Sequence, residues 1–227
     1  MICCFQFHPV TLHMPLPVLT DELWFPPVEN AAADGLLAVG GKLETERLLL
    51  AYRSGIFPWF NEDEPPLWWC PNPRCVIFPD ELYISKSMQQ LLKRKTFSVT
   101  VNRNFTAVIQ QCAATREEQQ GTWITTDIEK AYTALHRLGF AVSIEAWQHN
   151  ELVGGLYGIR MGNIFFGESM FSKVSNASKY AFISYVQQLK KEAVVLIDCQ
   201  IHTPHLESLG ARMIPRDAFL EIVKANV

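Results

Sequence analysis

The sequence predicts a mixed α and β protein, with a small aromatic N-terminal part followed by a larger body whose central strands are consecutive along the chain. Two observations carry this expectation. Apolar residues keep helical spacing through Phe105–Cys112 and Ile128–Leu138, then switch to a period of two from Ala141 to Phe171. Between Ile56 and Arg74, five prolines interleave with Phe57, Trp59, Phe60, Trp68 and Trp69, a composition that suits neither a helix interior nor a central strand.

Taken in order, about the first 25 residues read as irregular or short extended structure. Thr45 is placed to cap a short helix whose Leu48, Leu49 and Tyr52 share a face, with Gly55 as its stop. The proline-rich run then reads as a structured connector, and a domain boundary falls within it, giving units of 1–70 and 71–227. Beyond it, Ser85–Lys95 reads as a helix, Phe97–Val101 as a strand and Phe105–Ala113 as a helix. Thr126-Asp127-Ile128-Glu129 reads as a capping box opening a helix that ends at Gly139. Strands are expected near 141–147, 152–160 and 164–171, turning at His149-Asn150 and Gly162-Asn163. A helix over Asn176–Lys190, a buried strand through Val194–Ile197, and a short helix opened by Thr203-Pro204 and closed by Gly210 complete the chain.

With 227 residues, 48% hydrophobic and 19% charged, the chain has enough apolar surface for a real core, which excludes a disordered chain or a disulfide-stapled miniprotein. The six cysteines are scattered and no basic, apolar leader precedes them, so reduced thiols and a cytoplasmic home are expected. No apolar stretch is long enough to span a bilayer. The net charge of -3 hides an asymmetry: residues 1–80 hold four Lys/Arg against ten Asp/Glu, whereas 82–116 hold six basic residues and no acid. That basic segment, with Lys86, Lys93, Arg94 and Lys95 on one helix, is a candidate polyanion contact; a solvated face is the alternative.

Three further constellations bear on chemistry. Glu168 is the only charge in the apolar strand Phe165–Phe171, so it either pairs with a buried cation or awaits a cationic ligand. Asp198 and Gln200 emerge at the end of a buried strand, where alternation puts both on one face and Cys199 on the other; they either orient an amine or stabilise a loop. Trp59, Trp68, Trp69 and Trp123 either pack a core or wall an apolar pocket. Rival motifs are weaker. Gly167-Glu168-Ser169 lacks the second glycine of a nucleophile elbow, Cys199, His202 and His205 have a proline between the histidines of a conceivable zinc set, and no phosphate-cradling loop is present.

Several of these motifs occur together in a recognisable order: Gly55-Ile56-Phe57-Pro58-Trp59-Phe60, Trp68-Trp69, Pro73-Arg74, Gly121-Thr122-Trp123-Ile124-Thr125, Gly167-Glu168-Ser169-Met170-Phe171, Asn176-Ala177-Ser178-Lys179 and Ile197-Asp198-Cys199-Gln200. The sequence resembles the leucyl/phenylalanyl-tRNA-protein transferases over about residues 24–222. The resemblance implies an acetyltransferase-like domain after the small N-terminal one, and transfer of Leu or Phe, with Met tolerated, from aminoacyl-tRNA to the N-terminal Arg or Lys of an acceptor protein. It implies a monomer, no cofactor, no metal and no membrane. It assigns Asp198 and Gln200 to orienting and deprotonating the acceptor amine, and Glu168 to holding its cation. Trp59, Trp123, Leu156, Phe165, Gly167, Ser169 and Ile197 become the aminoacyl pocket, and Lys86, Lys93, Arg94 and Lys95 the tRNA contact. Gln89 and Gln90 stand where relatives tend to have a basic residue, and Cys70 and Asn72 where Ser and Asp are usual. The alternatives that keep these residues are an acyl-coenzyme A dependent N-acyltransferase and a non-catalytic module binding tRNA or a peptide terminus.

Overall fold

The structure, a computed structural model, describes residues 16–120 and 124–227, and the side chains of all of these except 116–120. The chain begins with β1 (Val18–Leu19), β2 (Leu36–Gly40), α1 (Thr45–Arg53), β3 (Phe57–Pro58) and β4 (Leu67–Trp69). These strands form a four-stranded sheet in the order β1-β2-β4-β3, in which β1 runs parallel to β2 and the other pairs are antiparallel. The buried Arg47 guanidinium donates to the carbonyls of Thr20, Glu22 and Trp24, which fixes the irregular entry segment on α1.

Two details differ from the sequence expectation. Thr45 is the first helical residue and not the cap; Glu44 is the N-cap and makes no side-chain hydrogen bond. The connector also contains strand: Pro58 lies in β3 at the sheet edge, where a missing N–H disturbs no inner ladder. Trp68, fully buried in β4, donates its indole N–H to the Gly40 carbonyl at 2.9 Å. Gly55 ends α1 at φ 72°, and a Cβ there would sit 2.6 Å from Leu220 Cδ2, so both conformation and packing select glycine.

The remaining elements are β5 (Arg74–Ile77), α2 (Lys86–Lys93), β6 (Ser98–Val101), α3 (Phe105–Gln120), α4 (Thr126–Arg137), β7 (Ala141–Gln148), β8 (Glu151–Met161), β9 (Ile164–Ser172), α5 (Ala177–Lys191), β10 (Leu196–Gln200), α6 (Pro204–Glu207), β11 (Arg212–Ile214) and α7 (Arg216–Asn226). The strands form one sheet in the order β11-β5-β10-β9-β8-β7-β6. Its centre is the antiparallel meander β7-β8-β9, turned at His149-Asn150, both with positive φ as a tight two-residue hairpin requires. Within this sheet only β9 and β10 pair in parallel, because α5 carries the chain across one face between them. The cap of α4 lies one residue earlier than expected: Thr125 Oγ1 accepts from the Ile128 N–H.

Side-chain alternation distributes the core over the two faces of this sheet. On one face α3, α4 and α7 cover Tyr157, Phe166 and Phe171; on the other α5 covers Leu156, Phe165 and Ile197. Two irregularities interrupt the alternation. Tyr157 pairs with Ser169 and Gly158 with Gly167, leaving Glu168 as the extra residue of β9. In β10, Asp198 opposes Val76 and Gln200 opposes Cys75, so Cys199 is extra and Gln200 takes φ 62°.

The paired glycines Gly158 and Gly167 have unequal surroundings. A Cβ at Gly158 would lie 2.2 Å from the Phe166 carbonyl oxygen and 2.6 Å from the Phe165 ring, whereas one at Gly167 meets nothing nearer than 3.5 Å. Urea unfolding should show Gly158→Ala destabilised by about 1–3 kcal/mol or more, with Gly167→Ala much less affected; equal losses would contradict this packing.

Candidate active site

The centre of the molecule holds an ion pair that excludes water. Arg74, the first residue of β5, donates Nε to Asp198 Oδ1 at 2.8 Å and Nη2 to Oδ2 at 2.6 Å, with both side chains essentially inaccessible. The guanidinium lies between the rings of Phe57 and Phe219, 4.7 and 4.6 Å from their centroids. Its Nη1 is buried without a hydrogen-bond partner among the described residues. Asp198 Oδ1 also accepts the Gln200 backbone N–H at 2.9 Å. That bond holds Gln200 in its left-handed conformation and aims its amide across to β9.

There the Gln200 Nε2 donates to Glu168 Oε1 at 2.9 Å. Tyr52 of α1 donates to the same oxygen at 2.7 Å and Tyr132 of α4 lies 3.1 Å from Oε2, with the two tyrosine hydroxyls close enough that one of these protons is shared between them. Burial, reinforced by the Asp198 charge, raises the Glu168 carboxyl to about 8, against the opposing pull of these donors. Burial and the neighbouring Glu168 keep both tyrosines protonated well above their ordinary range. The two carboxyl groups therefore have different tasks. Asp198 faces a cation and has both oxygens occupied; Glu168 is partly exposed, meets neutral donors, and titrates near neutral pH.

Of the residues anticipated from sequence, Asp198, Gln200 and Glu168 do converge, and Gly167 leaves open backbone beside them. The expected alternation of Asp198 and Gln200 fails because of the bulge at Cys199; they are linked through the backbone N–H instead. The buried cation sought for Glu168 exists, but it is committed to Asp198. Leu156, Phe165 and Ile197 lie together under α5, where Phe165 packs edge-on to Tyr185, with ring centroids 5.2 Å apart. Ser169 is buried in β9 opposite Tyr157. Trp59 is 42% exposed and packs on Trp69, 5.7 Å between centroids, away from that cluster. Trp123 lies outside the described residues. Lys86, Lys93, Arg94 and Lys95 are all exposed on or just beyond α2. Of the conceivable zinc set, the Cys199 thiol turns to Cys75 and His202 to Glu207 at 3.2 Å.

Sequence reasoning missed Tyr52 and Tyr132 as site residues, reading them only as apolar positions on helix faces. It also gave Arg74 no role. The one available signal was that the sequence offers a lone cation, Arg74, at the head of an otherwise apolar strand.

A family model described as leucyl/phenylalanyl-tRNA protein transferase matches residues 76–224, and one described as the N-terminal domain of that transferase matches 41–72. A protein of Flavobacterium johnsoniae named leucyl/phenylalanyl-tRNA–protein transferase is 58% identical over 209 residues, covering 92% of this chain and 99% of its own. Proteins of the same name from Pseudomonas fluorescens (strain Pf0-1) and Syntrophus aciditrophicus are 55% and 54% identical, covering 91% and 94% of this chain and 92% and 90% of theirs. Among solved structures, L-PGS from Bacillus licheniformis is similar over 74% of this chain and 53% of that one, at 13% identity and a TM-score of 0.42, a likeness too slight to bear on function.

Two stability measurements check this electrostatic arrangement. Asp198→Ala strands the Arg74 charge and should cost about 3–5 kcal/mol, while Arg74→Met combined with Asp198→Leu should cost less than the two single losses added. The folded Glu168 keeps its proton up to about pH 8, and the unfolded carboxyl loses it near 4.5. The folded state thus binds more protons in that window, so this group's contribution to stability falls as pH rises from 4.5 to 8 and is constant above. In Glu168→Gln that slope should vanish; an unchanged slope would show that Glu168 is ionised throughout.

Proposed function

The chain belongs to the leucyl/phenylalanyl-tRNA protein transferase family, and from that membership we propose that it moves leucine or phenylalanine from charged tRNA to the N-terminal Arg or Lys of an acceptor protein, marking it for N-end-rule degradation. The observation that carries the reading is the Glu168 carboxyl, raised to about 8 and reached by three neutral donors. A free α-amine titrates at about 7.7–8.0, so a proton moves between ammonium and Glu168 with almost no difference in free energy. The aminoacyl ester is already activated; what remains is to free the amine, align it with the ester carbonyl and stabilise the tetrahedral oxyanion.

In this reading the acceptor ammonium loses one proton to solvent by way of Glu168, and the freed amine attacks the ester carbonyl. The new C–N bond forms, the nitrogen gives a second proton to the Glu168 carboxylate, the C–O bond to the terminal ribose breaks, and the ribose oxygen leaves with that proton returned by Glu168. Gln200 orients Glu168, and Asp198 positions Gln200. Asp198 is inaccessible and already accepts three hydrogen bonds, whereas Glu168 is the more accessible carboxyl. The cluster of Leu156, Phe165 and Ile197 beneath α5 serves as the apolar wall for the leucyl or phenylalanyl side chain, with Gly167 and Ser169 beside it; Trp59 and Trp123 are assigned to the pocket by the resemblance alone. Because one methylene in such a pocket is worth only about 1–3 kcal/mol, methionine is tolerated. Lys86, Lys93, Arg94 and Lys95 contact the tRNA backbone, which makes binding salt-dependent.

The division into a small N-terminal unit, 1–70, and a catalytic unit, 71–227, belongs to the same reading and is supported by two sheets that share no strand. No helix among the described residues is long and apolar enough to cross a membrane. We place the protein in the cytoplasm, where charged tRNA is available, as a monomer.

Labelled leucine or phenylalanine on tRNA should be incorporated into a peptide beginning with Arg or Lys, and not into its N-acetylated form. No transfer with both substrates intact would refute the reading. With tRNA bound, turnover should rise with pH to about 8 and then flatten. Glu168→Gln should lower kcat by about 10²–10⁴-fold while leaving tRNA affinity unchanged, and an equal loss in affinity would remove Glu168 from the proton-transfer role.

A further inference from the structure

A cavity of about 330 Å³ opens on the surface between the starts of α2 and α5 and the end of α6. Its lining includes Tyr83, Ser85 and Met88 around the start of α2, Lys179 in the first turn of α5, and Glu207 and Ser208 of α6. The placement follows from topology. The parallel strands β9 and β10 carry Glu168 at mid-strand and Gln200 at the last position, and from their carboxyl ends the chain runs through short loops into α5 and α6. Such a crevice between parallel strand ends is where open α and β sheets place their ligands.

The wall chemistry is that of a stacking platform. The Tyr83 side chain is 61% exposed although its backbone is fixed, its N–H donating to the Leu209 carbonyl at 2.9 Å. The close approach of Gly210 to the Glu81 carbonyl pins the same corner, since a Cβ there would lie 2.6 Å from that oxygen. The ring is thus presented to solvent from a fixed point of the backbone. Lys179, also in the lining, donates to the Ser208 hydroxyl at 3.3 Å and has no carboxylate partner among the described residues. Glu207, the acid in the lining, is turned to His202.

We propose that this cavity binds an unpaired nucleotide of the RNA donor, its base stacked on Tyr83 and its phosphate held by Lys179. The assignment rests on the transfer reading above. A donor whose ester is seated at Glu168 and whose paired stem lies along α2 must pass single-stranded between them, and this cavity is lined by the start of α2 and by the helices that follow the two site strands.

Binding of an RNA hairpin, with and without an unpaired 3′ tail, tests the proposal whether or not transfer occurs. The tail should strengthen binding to the wild-type protein about ten-fold or more; Tyr83→Ala should abolish that difference without changing the melting temperature, and Tyr83→Trp should retain it. In the transfer assay, Tyr83→Ala should raise KM for charged tRNA while leaving kcat, and the reaction of a 3′-aminoacyl adenosine, unchanged. A tail that adds nothing to wild-type binding, or a Tyr83→Ala protein that binds tailed RNA as the wild type does, overturns the subsite. Tail-dependent binding without transfer from either donor would leave the subsite standing and refute the transfer reading instead.

Discussion

The rest of the site depends on the ion pair between Arg74 and Asp198. Two charges without access to water are tolerated only when geometry and hydrogen bonding compensate their desolvation, and here the compensation is nearly complete. The carboxylate receives a bidentate fork and a backbone N–H, and the guanidinium is stacked between two rings. Those rings come from the N-terminal sheet, Phe57, and from the last helix, Phe219. Arg74 therefore fastens both ends of the chain to the strand that carries Gln200, and the site cannot be assembled without either end.

The second carboxyl shows why the pair matters. Glu168 lies at a bulge on the adjacent strand, and the buried arginine nearby is already taken. With neutral donors alone, burial prevails and the carboxyl titrates near 8. Were Arg74 free to face Glu168, the carboxyl would stay ionised, and a weakly basic carboxylate could not take a proton from an amine at neutral pH. The register of the parallel pair, with Asp198 beside Phe166, brings Gln200 level with Glu168 two residues on, and a bulge falls in each strand at that level, at Cys199 and at Glu168.

Much of this was legible in the sequence wherever a local rule governs. The meander announced itself through its period of two and its His149-Asn150 turn, and α6 through Thr203-Pro204. The charged residues of the site stood out because Glu168 and Asp198 interrupt apolar strands. Less was legible where the decisive partner is distant. Tyr52 and Tyr132 are 116 and 36 residues from Glu168, and on their own helices they are ordinary buried aromatic positions. Arg74 and Asp198 are 124 residues apart. Alternation put Asp198 and Gln200 on one face, but a single inserted residue reverses that parity, and no local pattern marks where a bulge falls. The proline-rich connector misled for a related reason: whether Pro58 breaks a strand depends on whether the strand lies at an edge.

The charge asymmetry also takes on a spatial meaning. The acidic excess of the first 80 residues is carried largely on exposed side chains of the N-terminal part, including Glu44, Glu46, Glu62, Asp63 and Glu64, whereas the basic residues cluster on and after α2. Glu168 sits at the junction, hydrogen-bonded by Tyr52 from the first part and Tyr132 and Gln200 from the second. In the proposed reading the basic surface serves the polyanionic donor and the acidic one the cationic peptide terminus, so that like charge disfavours the exchange of the two. The overall charge of -3 is the residue of these two opposed surfaces, and their separation carries the information that their sum conceals.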